Sequence, residues 1–120
     1  ALKRKKWSEA VIVFRDLRSI WPDHAPAREG LVEALSSQAR VLRRLKDYEG
    51  ALASADEWLN VESNDFEALM LRGDMLYSLR RYEEAKDTYR EARRAKPRSK
   101  AAKEKFSKAA RKARRAAKKP

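Results

Sequence analysis

The sequence predicts an all-helical protein, and three observations carry that prediction. Ala, Leu, Arg, Lys and Glu, all good helix formers, dominate 120 residues that include only three Gly and four Pro. Similar segments recur at a spacing of 34 residues. Within them apolar or small residues return every three to four positions, the period of a helix buried along one face. A chain of this length suffices for one modest domain and leaves little core for a second.

The first element is a helix over about Lys5–Trp21, ended by Pro22. A long helix over Pro26–Leu45 follows, in which Gly30 is the strongest break signal. The third and fourth helices span Tyr48–Val61 and Asp65–Leu79, and the fifth spans Tyr82–Ala95 with Pro97 as its stop. Asp23 and Asn64 are the candidate N-caps, Asn64 having Glu67 three residues on in a capping-box-like pattern. A last helix starts near Ser99 and carries a stripe of Ala102, Phe106, Ala109, Ala113 and Ala117.

The repeat is visible when the chain is slid by 34. "KDYEGALASADEWLNVESND" then lies over "RRYEEAKDTYREARRAKPRS", pairing Tyr48 with Tyr82 and Ala51 with Ala85, while Leu35, Ala39 and Leu42 fall on Leu69, Gly73 and Leu76. A partial third copy, "KWSEAVIVFRDLRSIWPD", places Trp7, Ala10, Phe14 and Pro22 on Tyr82, Ala85, Tyr89 and Pro97. Between Pro22 and Ala51 the chain is seven residues longer than the repeat requires. Seven residues make about two helical turns, so the Pro26–Leu45 helix is expected to be elongated and not interrupted by a loop.

These residues resemble the tetratricopeptide repeat (TPR), whose 34-residue unit is an antiparallel helix pair. The family's marker sites hold Leu69, Arg72, Gly73, Leu76, Ala85, Tyr89, Ala92 and Pro97, with Arg72 the clear departure. In the middle copy they hold Leu35, Gln38, Ala39, Leu42, Ala51, Ala55, Trp58 and Ser63, so that small and large residues change places at Ala55 and Trp58. The resemblance covers roughly Trp7–Ser99 and implies an all-α, right-handed solenoid of TPR helical hairpins with a basic C-terminal capping helix. Its expected organisation is TPR repeats over 1–97 (a partial first repeat at 5–22, an elongated second at 25–63, a third at 65–97) and a basic capping helix or linker over 98–120. Gly73 and Ala85 are expected to face each other where the two helices of a hairpin approach most closely.

Charge is uneven. The formal net charge is +12, but Trp7–Tyr89 holds 11 Lys and Arg against 16 Asp and Glu, whereas Arg90–Pro120 holds 15 against two. The basic character therefore belongs to the ends. Along the last helix Arg111, Lys112, Arg114, Arg115, Lys118 and Lys119 form a candidate polyanion contact. The alternative for this segment is a capping helix continuing into a solvated linker, and no aromatic residue follows Phe106 to stack on bases.

Candidate chemistry is sparse. His24 is the single histidine, there is no cysteine, and no Gly-rich phosphate loop or nucleophile–base pair stands out. The chain reads as a non-enzyme with no catalytic, cofactor or metal site. The longest purely apolar run, Ala10–Phe14, is far short of the roughly 20 residues of a membrane span. No signal-peptide pattern opens the chain, which reads as a piece of a longer, cytoplasmic protein.

Function then falls to surfaces. The resemblance places groove-lining positions on Glu33, Ser36, Arg40, Arg43 and Arg44, and on Glu67, Met70, Asp74, Tyr77 and Ser78. Arg40, Arg43 and Arg44 either hold a carboxylate-rich peptide or stand as three solvated charges near a helix end. TPR co-chaperones that grip the acidic C-terminus of heat-shock chaperones use Asn and Lys or Arg at set positions. Ser37, Glu67 and Leu71 occupy the matching places, so that clamp is absent. The passage of the last repeat into "AAKEKFSKAARKARRAAKKP" is similar to co-chaperones that carry a TPR arm before a J domain. The implied partner is a protein or peptide, such as a chaperone client, with RNA or a ribonucleoprotein as the alternative. Trp7, Val11 and Phe14 are expected to be partly exposed and to drive self-association.

Overall fold

The computed structural model describes residues 2–118, with the side chain of Leu2 outside the description. Among these residues it is all helix: α1 (Leu2–Ile20), α2 (Ala25–Arg44), α3 (Tyr48–Val61), α4 (Phe66–Ser78), α5 (Tyr82–Ala95) and α6 (Lys100–Lys118). The chain divides into two compact units, one holding α1–α3 and the other α4–α6.

Helix starts follow capping chemistry. Asp47 accepts from the Gly50 backbone N–H at 3.0 Å, Asp65 from Ala68 at 3.0 Å and Ser99 from Ala102 at 3.2 Å. Each satisfies a donor that the first turn leaves unpaired, a contribution of about 1 kcal/mol. Two expected caps lie one residue off. Asp65, not Asn64, caps α4, because only there does the carboxylate reach the third residue of the helix. His24, not Asp23, stands at the N-cap of α2 without a side-chain bond, and Pro26 in the first turn supplies the pre-set backbone instead.

The two central hairpins, α2–α3 and α4–α5, close by the same turn. Lys46 and Arg80, 34 residues apart, both have φ of 62°. Asp47 N–H bonds Leu42 C=O at 2.8 Å and Lys46 N–H bonds Arg43 C=O at 2.9 Å; Arg81 to Leu76 (2.9 Å) and Arg80 to Tyr77 (3.0 Å) repeat the pattern. This is the paired bonding of a left-handed helix cap, here built on side-chain-bearing residues where glycine is usual.

Within the first unit, α2 is a single helix of 20 residues against 13 in α4. The extra length lets α2 pack on α1 as well as α3. Gly30 sits in that extension, where an added Cβ would lie 2.3 Å from Cε1 of Phe14, so the glycine marks a close approach and not a break. The core is Val11, Ala27, Leu31, Leu35, Ala39, Leu42, Ala51, Ala55 and Trp58. Val11 is buried, contrary to its expected exposure, because α2 covers the face of α1 that an earlier helix was expected to cover. The large apolar residues left on the surface of this helix are Ile12, Val13 and Ile20.

In the second unit Ala68, Leu69, Leu76, Ala85, Tyr89 and Ala92 form the hairpin core. The nearest side chain to Gly73 is the Tyr89 ring, whose Cε1 would lie 2.5 Å from an added Cβ. Helix α6 packs on α5 through Ala102, Ala109 and Ala113, all buried, whereas Ala117 is exposed. Phe106 is half-buried between the Arg90 and Arg93 guanidinium groups, 5.6 and 5.1 Å from its ring centre.

The departure at Arg72 has a structural partner. Its guanidinium donates to Thr88 Oγ1, and Thr88 is buried on α5. At the same two positions of the first unit, Gln38 Oε1 accepts from the buried Ser54 hydroxyl at 3.1 Å. Gln38 also donates to Ser8 Oγ at 2.9 Å, tying α1 to the hairpin. The two hairpins thus share a polar pair, and each member satisfies a group that burial would otherwise penalise.

Candidate interaction surfaces

On α2, Glu33, Arg40, Arg43 and Arg44 are exposed. Arg40 lies over the ring of the buried Trp58, 5.9 Å from its centre, so part of its stem is fixed against the hairpin. Ser36 differs from them: it is buried and its hydroxyl donates to Glu33 C=O at 3.0 Å, back onto its own helix. The surviving feature is a basic row of three arginines at the C-terminal end of α2, where positive charge also complements the helix dipole.

On α4, Glu67 and Ser78 are exposed and Met70, Asp74 and Tyr77 are half-buried. Asp74 is fully engaged within the unit. Its carboxylate accepts from the Tyr89 hydroxyl at 2.6 Å and from Lys105 Nζ at 2.9 and 3.1 Å. Burial, and then the bond to Asp74, raise the Tyr89 phenol well above the usual tyrosine value. Tyr77 packs edge-on against Tyr82 at 5.1 Å and lies under Lys108 Nζ at 5.3 Å. A cavity of about 230 Å3 is lined by Asp74, Tyr77, Ser78, Tyr89, Lys105 and Lys108. Asp74 and Tyr77 are thus engaged by Lys105 and Lys108 of the chain's own α6, a pairing across 31 residues with no local sequence signal.

Beyond Lys100 and Lys103, which are exposed in its first turn, the basic residues of α6 fall into two rows. Lys105, Lys108 and Lys112 turn onto Asp74, Tyr77 and Tyr82, Lys112 Nζ lying 6.0 Å from the Tyr82 ring centre. Arg111, Arg114, Arg115 and Lys118 are exposed and recur at helical spacing. Of the expected polyanion set, Lys112 is half-buried beside Tyr82, and Lys119 lies outside the described residues.

A further set of polar groups, unforeseen in the sequence, sits in the first unit. Arg15 grips Glu57 of α3 with both ends of its guanidinium, Nε to Oε2 at 2.9 Å and Nη2 to Oε1 at 2.7 Å. Those bonds raise the Arg15 pKa above its already high value. The two residues are 42 apart in sequence, beyond any local pattern. Among the described residues, no group of three His, Cys, Asp or Glu is placed to hold a metal ion, and no helix is long and apolar enough to cross a membrane.

Residues 66–99 match the family model of the tetratricopeptide repeat. No curated protein matches the chain. Among solved structures the chain is similar to the C-terminal TPR-containing domain of a putative FK506-binding protein of Plasmodium falciparum, at 20% identity and a TM-score of 0.67 over 98% of this chain and 84% of that one. It is also similar to the first TPR domain of Spaghetti (RPAP3) bound to the HSP90 peptide SRMEEVD, at 16% identity and a TM-score of 0.61 over 87% and 93% of the two chains. The TPR2B domain of yeast Sti1, in its pHsp70 complex, aligns at 16% identity and a TM-score of 0.63 over 92% and 98%. The fold is that of the TPR helical-hairpin solenoid domains.

Proposed function

We propose that the chain is a non-catalytic protein-interaction module, the TPR arm with which a co-chaperone holds a partner or client. The carrying observation is the exposed row of Arg40, Arg43 and Arg44 on α2, the expected partner-facing helix of its hairpin. Three arginines at this spacing suit an extended segment rich in carboxylates, since each planar guanidinium takes a carboxylate through two parallel hydrogen bonds. Two of the similar domains, those of Spaghetti and Sti1, are known with HSP90 and pHsp70 ligands, which supports a chaperone context. The finer placement, in front of a J domain, rests on the passage of the last hairpin into the basic α6. Whether a J domain accompanies this segment in one polypeptide tests it.

The binding test uses acetyl-Glu-Glu-Gly-Glu-Glu-amide, a carboxylate-rich probe whose blocked C-terminus makes no demand on the absent clamp, followed by calorimetry and by NMR of the arginine Nε–H groups. Binding is expected to perturb Arg40, Arg43 and Arg44, and Arg40→Glu with Arg44→Glu is expected to weaken it at least about tenfold, the loss of one to two charge-assisted hydrogen bonds. Unchanged affinity in that double variant overturns the assignment of the α2 row.

A further inference from the structure

Beyond the α2 row, the first unit carries a cleft of about 480 Å3 that shares no residue with it. Its polar wall is made by Arg15, Arg18 and Ser19 of α1 with Glu57 and Asn60 of α3. The Arg15–Glu57 fork cancels one pair of charges and holds the two helices in register. Arg18 is left as the uncompensated charge of the cleft. Its Nε is buried and makes no hydrogen bond among the described residues, an arrangement that costs free energy unless an acceptor meets it. Ser19 and Asn60, both exposed, add a hydroxyl and an amide at the rim.

The remaining lining residues, Leu31, Val61 and Pro22, are apolar. Pro22 also lines a second hollow with Ile20, Trp21, Asp23 and His24. Ile20 and Trp21 are 67% and 58% exposed, so the basic cleft shares Pro22 with a ledge whose apolar surface is Ile20 and Trp21, with Asp23 and His24 beside them. Trp21 is braced by the His24 ring at 5.6 Å. An isolated anion would use only the first part of this surface and an apolar ligand only the second.

We infer that this cleft is a second binding site, for a short acidic peptide segment of a partner protein. The segment's carboxylate bonds Arg18, and its neighbouring bulky apolar side chain lies on Pro22 and Trp21. Charge complementarity to Arg18 chooses the anion, and the continuity of cleft and ledge through Pro22 chooses an acidic residue with an apolar one beside it.

The test is an isotope-labelled chain titrated with acetyl-Gly-Asp-Phe-Gly-amide, read at the Arg18 Nε–H and the Trp21 indole N–H. Both signals are expected to move together, and the peptide with Asn in place of Asp is expected to bind about tenfold more weakly. Arg18→Gln should weaken the Asp peptide to the same extent. Asn60→Asp, an exposed change that adds a like charge at the rim, should do the same should Arg18→Gln fail to fold. The inference is overturned if the Arg18 signal does not respond at millimolar peptide, if the Asn peptide binds equally well, or if only Arg40, Arg43 and Arg44 respond. It is also overturned if inorganic phosphate moves Arg18 as far as the peptide does while Trp21 never responds. Because the α2 row is read by different signals, its failure and the failure of this site are separable.

Discussion

Gly73 sets the distance between α4 and α5, since a methyl group there meets the Tyr89 ring and not a flexible chain end. Gly73→Ala is therefore expected to cost about 1–3 kcal/mol in a thermal or denaturant melt. The same change in a Tyr89→Ala background should cost clearly less, because the ring that forbids the methyl is gone, and equal costs in both backgrounds would refute the contact. The Ala39 and Ala55 positions of the other hairpin show the alternative solution, two small residues with the bulk moved to Trp58. Tyr89 also makes a pH prediction. Its folded-state pKa is raised, so the native state holds the phenolic proton where the unfolded chain, titrating near pH 10, has lost it. The stabilisation is complete below about pH 10 and declines above it. The alkaline loss of stability should accordingly be smaller in Tyr89→Phe, and an identical alkaline profile would show that Tyr89 does not carry the effect.

Elements are set by signals of different visibility. The seven-residue excess before Ala51 announced the long α2, and the alanine spacing announced how α6 docks, because both are periodic patterns along one helix. The turns after α2 and α4 were not legible, since a left-handed cap is normally signalled by Gly or Asn and here Lys46 and Arg80 fill it. Their φ values lead to a third prediction. A side chain in that conformation costs about 1–2 kcal/mol, and glycine returns about 0.5–1 of it through the entropy of its unfolded state. Arg80→Gly should hence stabilise the second unit by about 0.5–1 kcal/mol, measurable as a higher denaturant midpoint, and a lower midpoint would mean that the Arg80 side chain contributes contacts worth more than its backbone strain. The polar pairs escaped the sequence for a different reason. Gln38 and Arg72 each look like a departure from an apolar site until Ser54 and Thr88, 16 residues on, are placed opposite them. The cleft at Arg18 was invisible for the same reason on a longer scale, its second wall lying on α3.

At the scale of the whole molecule, the formal charge of +12 suggests a polyanion partner until the rows of α6 are told apart. Lys105, Lys108 and Lys112 are committed to Asp74, Tyr77 and Tyr82, so they serve the packing of α6. Toward the C-terminal end of α6 the charge open to an RNA backbone is Arg111, Arg114, Arg115 and Lys118, with Lys100, Lys103 and Lys108 exposed nearer its start. Deleting this segment would remove the buried Ala113 and confuse packing with binding, whereas replacing those four exposed residues by Gln changes charge alone. A protein client held on the α2 row should bind the fourfold Gln variant with unchanged affinity. RNA bound along α6 should lose most of its affinity. Each phosphate neutralised contributes about 0.7 to the log–log salt slope for a single strand, so the slope should fall by up to about 3. Weak, salt-labile binding to any polyanion follows from net charge and decides nothing between the two functions. Loss of client binding in the fourfold variant, with full binding retained by Arg40→Glu and Arg44→Glu, would move the partner from α2 to α6 and defeat the co-chaperone arm as the explanation of this chain.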